Sequence, residues 1–96
     1  MTTTERHIVT HLITTLVANG YRLNVNNGTG HILPSYSSSL PDLLAALGHC
    51  DEEVIWTKLG DEPMGGILLI YGNGVDVISD YPLSMSELID PILDAV

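Results

Sequence analysis

Apolar residues in the first twenty positions recur with the period of a helix. Ile8, Leu12 and Leu16 fall every fourth residue, and Val9, Ile13 and Val17 form the adjacent row, so a helix over residues 4–18 has one apolar face. Asn19-Gly20 ends it, because glycine takes the left-handed conformation that closes a helix. The period then changes to two. Tyr21, Leu23 and Val25 alternate with Arg22, Asn24 and Asn26, the pattern of a half-buried strand. NNGTG predicts a turn and HILPSY a short second strand, which Pro34 places at an edge or an early end. Ser39, with Asp42 three residues on and Pro41 in the tolerant first turn, opens a second helix. Leu40, Leu43, Leu44 and Leu47 make its stripe, and Gly48 stops it.

In the second half, VIWTKL reads as a third strand and DEPMGG as a turn. ILLIY is apolar on both faces, which marks a strand covered on both sides or buried in an interface. Asn73-Gly74 is a strong hairpin signal, because both turn positions need positive φ, and VDVISDY is the return strand. Ser84 with Glu87 repeats the capping pattern ahead of a last helix. Its apolar face is Met85, Leu88, Ile89, Ile92, Leu93 and Val96, and Pro91 should kink it. The expected architecture is a single α+β domain over residues 1–96, in the order α-β-β-α-β-β-β-α. It has an antiparallel sheet of about five strands, with three helices covering its apolar face.

Composition adds an association tendency. Apolar residues make up 45% of the chain and charged residues only 16%, against about 25% in ordinary soluble domains. Together with the two-sided ILLIY strand, this predicts a homodimer formed through a sheet face or a strand edge. The alternative is that the many Thr, Ser and Asn residues supply the missing polarity. The charge is also segregated. Residues 1–50 balance Glu5 and Asp42 against Arg6 and Arg22. Residues 51–96 set Asp51, Glu52, Glu53, Asp61, Glu62, Asp76, Asp80, Glu87, Asp90 and Asp94 against Lys58 alone, so the net charge of −9 lies in the second half. Too few Lys and Arg are present for direct nucleic-acid binding or for docking on an anionic membrane. MTTTERH lacks the basic start and apolar core of a signal peptide, and a lone cysteine suits a reducing compartment. The expected location is the cytoplasm.

Candidate chemistry is thin. His7 and His11 stand one helical turn apart, which is ligand spacing. His31 and the His49-Cys50 pair could complete a tetrahedron. The helix lacks the glutamate of HExxH, however, and His49 and Cys50 are adjacent rather than two apart, so no metal or other cofactor is expected. Cys50 follows a helix C-terminus, where the dipole disfavours a thiolate, and it reads as a small buried apolar residue. No GxSxG elbow is present, and no enzyme is expected. On an extended VDVISDY, Asp76 and Asp80 share one face with Ile78 between them. A carboxylate pair can serve acid–base work or hold a hard cation, but no third group joins them. A hairpin with a solvated acidic face comes first, a binding face second and an active site last. Asp80 can also bond backbone groups at the Tyr81-Pro82 turn.

The stretch from Asp51 to Asp80, with DEEVI, GGILLIYGN and VDVISDY, followed by SELIDPIL, resembles small acidic proteins carried by phages, plasmids and integrative elements. Those proteins share a YGN…VISDY hairpin and a leucine-rich tail, although GNGV here replaces their longer GND-type turn. The resemblance implies mobile-element biology and no catalytic residues. It leads to the expectation of a non-enzymatic binding protein that blocks a nucleic-acid-handling host defence complex. The partner would be a protein with a basic surface, met by Glu52, Glu53, Asp61, Glu62, Asp76 and Asp80. The alternatives are an accessory homodimer without inhibitory role and, behind it, a small metal-dependent enzyme. The metal alternative has a direct test. Protein purified without chelator should contain no zinc by elemental analysis; one equivalent, lost on His7→Ala or His11→Ala, would reverse that expectation.

Overall fold

The computed structural model describes residues 1–27, 32–33 and 35–96. Helix α1 spans Thr3–Ala18, and Thr2 caps it in a reciprocal box with Glu5. The Thr2 hydroxyl accepts from the Glu5 N–H at 3.1 Å, and the Glu5 carboxylate accepts from the Thr2 N–H at 2.8 Å. Gly20, at φ 90°, releases the chain into β1, Tyr21–Asn26. Helix α2, Leu40–Ala46, begins at the Ser39 cap. Strands β2, Glu52–Leu59, and β3, Glu62–Ile70, follow, then β4, Ile78–Asp80, and helix α3, Ser86–Asp94. The chain is an α+β domain with three helices and a four-stranded antiparallel sheet in the order β1-β2-β3-β4.

One face of the sheet carries the core. Leu23, Val25, Ile55, Ile67, Leu69 and Ile78 point into it and meet Ile8, Leu12, Ile13 and Leu16 of α1, Leu43 of α2, and Ile89 and Ile92 of α3. Helix α1 touches both other helices, so the three form one layer. Each fully buried Leu or Ile contributes about 1.5–3 kcal/mol, and the alternation along β1 to β3 places these residues on a single side. Met85 plugs the layer beneath a 3-10 turn at Leu83–Met85.

Several expectations need correction. There are four strands among the described residues, not five. The HILPSY strand falls partly on residues 31 and 34, which lie outside the described set, as does most of the NNGTG turn. Beside them, Ser37 exchanges two 2.8 Å backbone bonds with Leu23, and the Ile32 N–H reaches Val25 O. These two contacts match a two-residue step of β1, Leu23 to Val25, with positions 37 and 32 of the partner segment, and Leu23–Ser37 is an isolated bridge among the described residues. The β2–β3 turn is Gly60-Asp61, with Leu59 opposite Glu62, rather than DEPMGG. Gly65 and Gly66 are strand residues, and Gly65 at φ 99° sits at the bulge where the register slips. Ser84 and Glu87 form no capping box, because Met85 takes the cap position with no side-chain bond.

The Asn73-Gly74 hairpin is also absent. Asn73 has φ −100° and Gly74 begins a 3-10 turn, Gly74–Asp76. The carboxylate of Glu5 replaces local turn chemistry, accepting from the N–H groups of Gly72 at 2.7 Å and Gly74 at 3.3 Å. Its side chain is 1% exposed. The Thr2 N–H, ahead of those of Gly72 and Gly74, holds its pKa below the ordinary 4.5, against the upward pull of burial. A carboxyl with a depressed folded pKa contributes stability above its unfolded pKa, and loses it as pH falls through the folded value. Glu5→Gln should therefore melt below wild type at pH 7, and the gap should narrow as pH drops below 4.5. Thermal melts across that range check this; a gap independent of pH would show that the charge is not what holds the loop.

Candidate interaction surface

The acidic residues separate into distinct places. Glu53 is 1% exposed and faces the core side of β2, so it does not belong to an exposed binding face. Its carboxylate accepts from the Gly48 N–H at 2.8 Å, the His49 N–H at 3.3 Å and the Tyr71 hydroxyl at 2.6 Å. Burial, and then the bond to Glu53, push the Tyr71 phenol far above its usual range. Asp61 and Glu62 lie at the β2–β3 turn, where Asp61 stands 3.5 Å from Arg22. Glu52 lies at the other end of β2, about 24 Å away at 3.4 Å per strand residue.

Asp76 and Asp80 do not share a strand. Asp76 ends the 3-10 turn and Asp80 ends β4. Asp80 Oδ1 accepts from the Tyr81 N–H at 2.9 Å, the backbone bond its position suggested. Helix α3 packs behind, and the Tyr81 hydroxyl donates to Asp90. That bond is the first cause of the raised Tyr81 pKa, and the charges of Asp90 and Asp94 add to it. The β4–α3 edge thus gathers Asp80, Asp90 and Asp94, with Glu87 exposed on the first turn of α3. No Lys or Arg occurs anywhere from Leu59 to Val96. Leu83 stands out of this edge 90% exposed. Sequence reasoning counted Glu87, Asp90 and Asp94 as charge but missed them as a patch. The signal was their spacing, which puts them along one helical stripe.

The second surface is the sheet face turned away from the helices. Glu52, Val54, Trp56 and Lys58 alternate outward along β2. Register sets Leu68 and Asp80 beside Val54, and Asn24 and Gly66 beside Trp56. A Cβ on Gly66 would come within 3.0 Å of the Trp56 ring and 2.8 Å of Val54, so the glycine lets the indole lie flat on the sheet. Trp56 remains 39% exposed. Asn24 is covered at 4% exposure, donates to Leu33 O at 3.3 Å, and its own carbonyl finds no partner among the described residues.

His7 and His11 are exposed on α1 and line a shallow hollow of about 340 Å³ with Thr4, Ile8, Val75, Ala95 and Val96. His49 Nε2 lies 2.7 Å from Ala45 O. Cys50 is exposed rather than buried, because the turn after α2 carries it to the surface. His31 lies outside the described residues. Among the described residues no three His, Cys, Asp or Glu side chains gather as a metal-holding group, and no helix is long and apolar enough to cross a membrane. Comparison with family models, curated proteins and solved structures finds no match for this chain.

Removing Glu53 leaves two N–H groups and a phenol competing for water they reach poorly. Each buried group left unpaired costs about 1–3 kcal/mol. Glu53→Ala should lower unfolding free energy by about 3 kcal/mol, measured by urea denaturation. A loss under about 0.5 kcal/mol, the size of an ordinary surface substitution, would show that the Gly48–His49 turn holds itself.

Proposed function

We propose that this protein acts by binding a protein partner with a basic surface, through the acidic edge formed by β4 and α3. The observation that carries this reading is Leu83, 90% exposed in a segment whose charges are all negative. An apolar anchor within a charged rim is the layout of a recognition surface, with the anchor supplying affinity and the rim steering approach. Asp80 and Glu87 flank Leu83 along the chain, and Asp90 and Asp94 continue the rim along α3. A face of one sign raises the association rate with an oppositely charged partner by about 10–1,000-fold.

The partner class that fits is a protein whose groove handles nucleic acid, since such grooves are lined with Lys and Arg. The resemblance of Asp51 to Asp80 to proteins of mobile elements favours inhibition of a host defence complex in the cytoplasm as the setting. The binding reading calls for no cofactor and no catalytic step.

Capture from a host lysate, with the chain as bait, tests this by comparing variants. A specific partner should be retained at low salt and released as ionic strength rises past about 0.15 M. Asp80→Asn with Glu87→Gln should slow association by about tenfold, and Leu83→Ala should speed dissociation. All three positions are exposed, so melting temperatures should stay near wild type. A partner held equally by wild type and by both variants at high salt would remove the acidic edge from recognition.

A further inference from the structure

We infer that the open sheet face binds a second copy of this chain, in a two-fold, face-to-face dimer centred on β2. The face is self-complementary in both charge and shape. Glu52 and Lys58 point outward at opposite ends of β2, and Val54 and Trp56 lie between them. A two-fold axis in the plane of the interface, crossing the strands at Ile55, places Lys58 of each copy over Glu52 of the other. The same operation lays each Trp56 over the other copy's Val54 and Leu68. The positions beneath the incoming indole form a hollow of about 230 Å³, lined by Asn26, Asn27, Glu52, Glu53, Val54 and Leu68. The exposed aromatic and the unfilled hollow are therefore exchanged by one symmetry element, as an isologous interface requires.

Charge distribution supports this occupant over a basic partner. The chain has only three Lys and Arg residues. Two of them, Arg22 and Lys58, face each other across β1 and β2 at one end of this face. The Lys58 ammonium lies 4.5 Å from the centre of the Tyr36 ring, which holds it at the surface of the sheet. Glu52 and Asp80 lie toward the opposite end. A uniformly basic partner would meet Lys58 with like charge, whereas a second copy turned through the two-fold sets Lys58 against Glu52; Arg22 at this end already has Asp61 at 3.5 Å. The face spans four strands and is small, so the dimer is weak, on the order of micromolar. Asp80 alone is common to this surface and the acidic edge, and the variants below leave it in place, so failure of either reading leaves the other standing.

Charge exchange tests the geometry. Wild type should sediment as a dimer at about 100 µM and dissociate on dilution below its micromolar constant. The fluorescence of Trp56, the single tryptophan, should shift to the red as it does so. Lys58→Glu and Glu52→Lys should each remain monomeric at the higher concentration, because each places like charges together twice. An equimolar mixture of the two should dimerise again, since the carboxylates of one variant then face the ammonium groups of the other. The double variant should dimerise alone. Melting curves identify any variant that fails to fold, and Glu52 is exposed, so Glu52→Lys stands as an independent arm. A wild-type monomer of 10.4 kDa at about 100 µM would overturn the inference. So would single variants that dimerise as well as wild type, or a mixture that shows no recovery.

Discussion

A four-stranded sheet with one layer of helices has one covered face and one open face, and this imbalance governs the molecule. The chain spends its aliphatic residues on the covered side. Ile8, Leu12, Leu16, Leu43, Ile89 and Ile92 from the helices close over Leu23, Ile55, Ile67 and Leu69. Among the described residues no helix covers the other side, where the segment around Leu33 and Tyr36 borders β1 and Trp56 is 39% exposed. The outward residues are accordingly mixed, with Val54 and Leu68 beside Lys58, Glu52 and Asp80. Such a face tolerates water and still loses free energy when it is covered, which is the condition for reversible association.

Two buried carboxylates fasten the loops to this frame. Glu5 reaches from the first turn of α1 to Gly72 and Gly74, joining residues far apart in sequence. Glu53 fastens the turn after α2 from four and five residues away, and it also accepts from Tyr71 just past the end of β3. A buried carboxylate is costly unless several donors surround it; here each has at least three. The backbone N–H groups of Gly72, Gly74, Gly48 and His49 are satisfied by these two carboxylates instead of by regular turns. β4 is only three residues long; α3 beyond it is held by Ile89 and Ile92 in the core and by the bond from Tyr81 to Asp90.

What the sequence revealed follows from the same division. Helix α1 and strand β1 were legible, because each depends on a local period and a single buried face, and VIWTKL and ILLIY were legible as strands. The paired positions of ILLIY resolved as Ile67 and Leu69 inward with Leu68 and Ile70 half covered. The stretch from Tyr71 to Tyr81 was misread because its conformation is set from outside. The Asn73-Gly74 signal presumes that the turn makes its own hydrogen bonds, and Glu5 supplies them from α1. Asp76 consequently left the strand on which it was expected to accompany Asp80. Gly65 and Gly66 were taken for a turn, although adjacent glycines in an apolar run also mark a bulge and a close approach. The approach here is that of Trp56 to Gly66. Glu53 was placed among surface acids by composition alone, since its partners come together only when β2 and β3 pair.

The two surfaces divide the charge between them in a way that keeps them compatible. Copies that each carry −9 repel at long range, so any self-association must be offset where the chains touch. The open sheet face offers Lys58 for that purpose, at the end of β2 opposite Glu52. The outer edge of β4 and the exposed stripe of α3 lie beside and behind that face, clear of a partner sheet stacked upon it. A face-to-face pair would therefore leave two acidic edges exposed, each carrying its own Leu83. Paired edges on one assembly convert a second contact with a repetitive or symmetric basic target into an intramolecular step. That raises overall affinity by about 10²–10⁴-fold wherever the spacing of the target matches. A chain of this size has little area to spend on any single interface. On the two proposals together, recognition would be divided between a self-complementary sheet face and an acidic edge, and each could stay small while a dimer gained affinity from both.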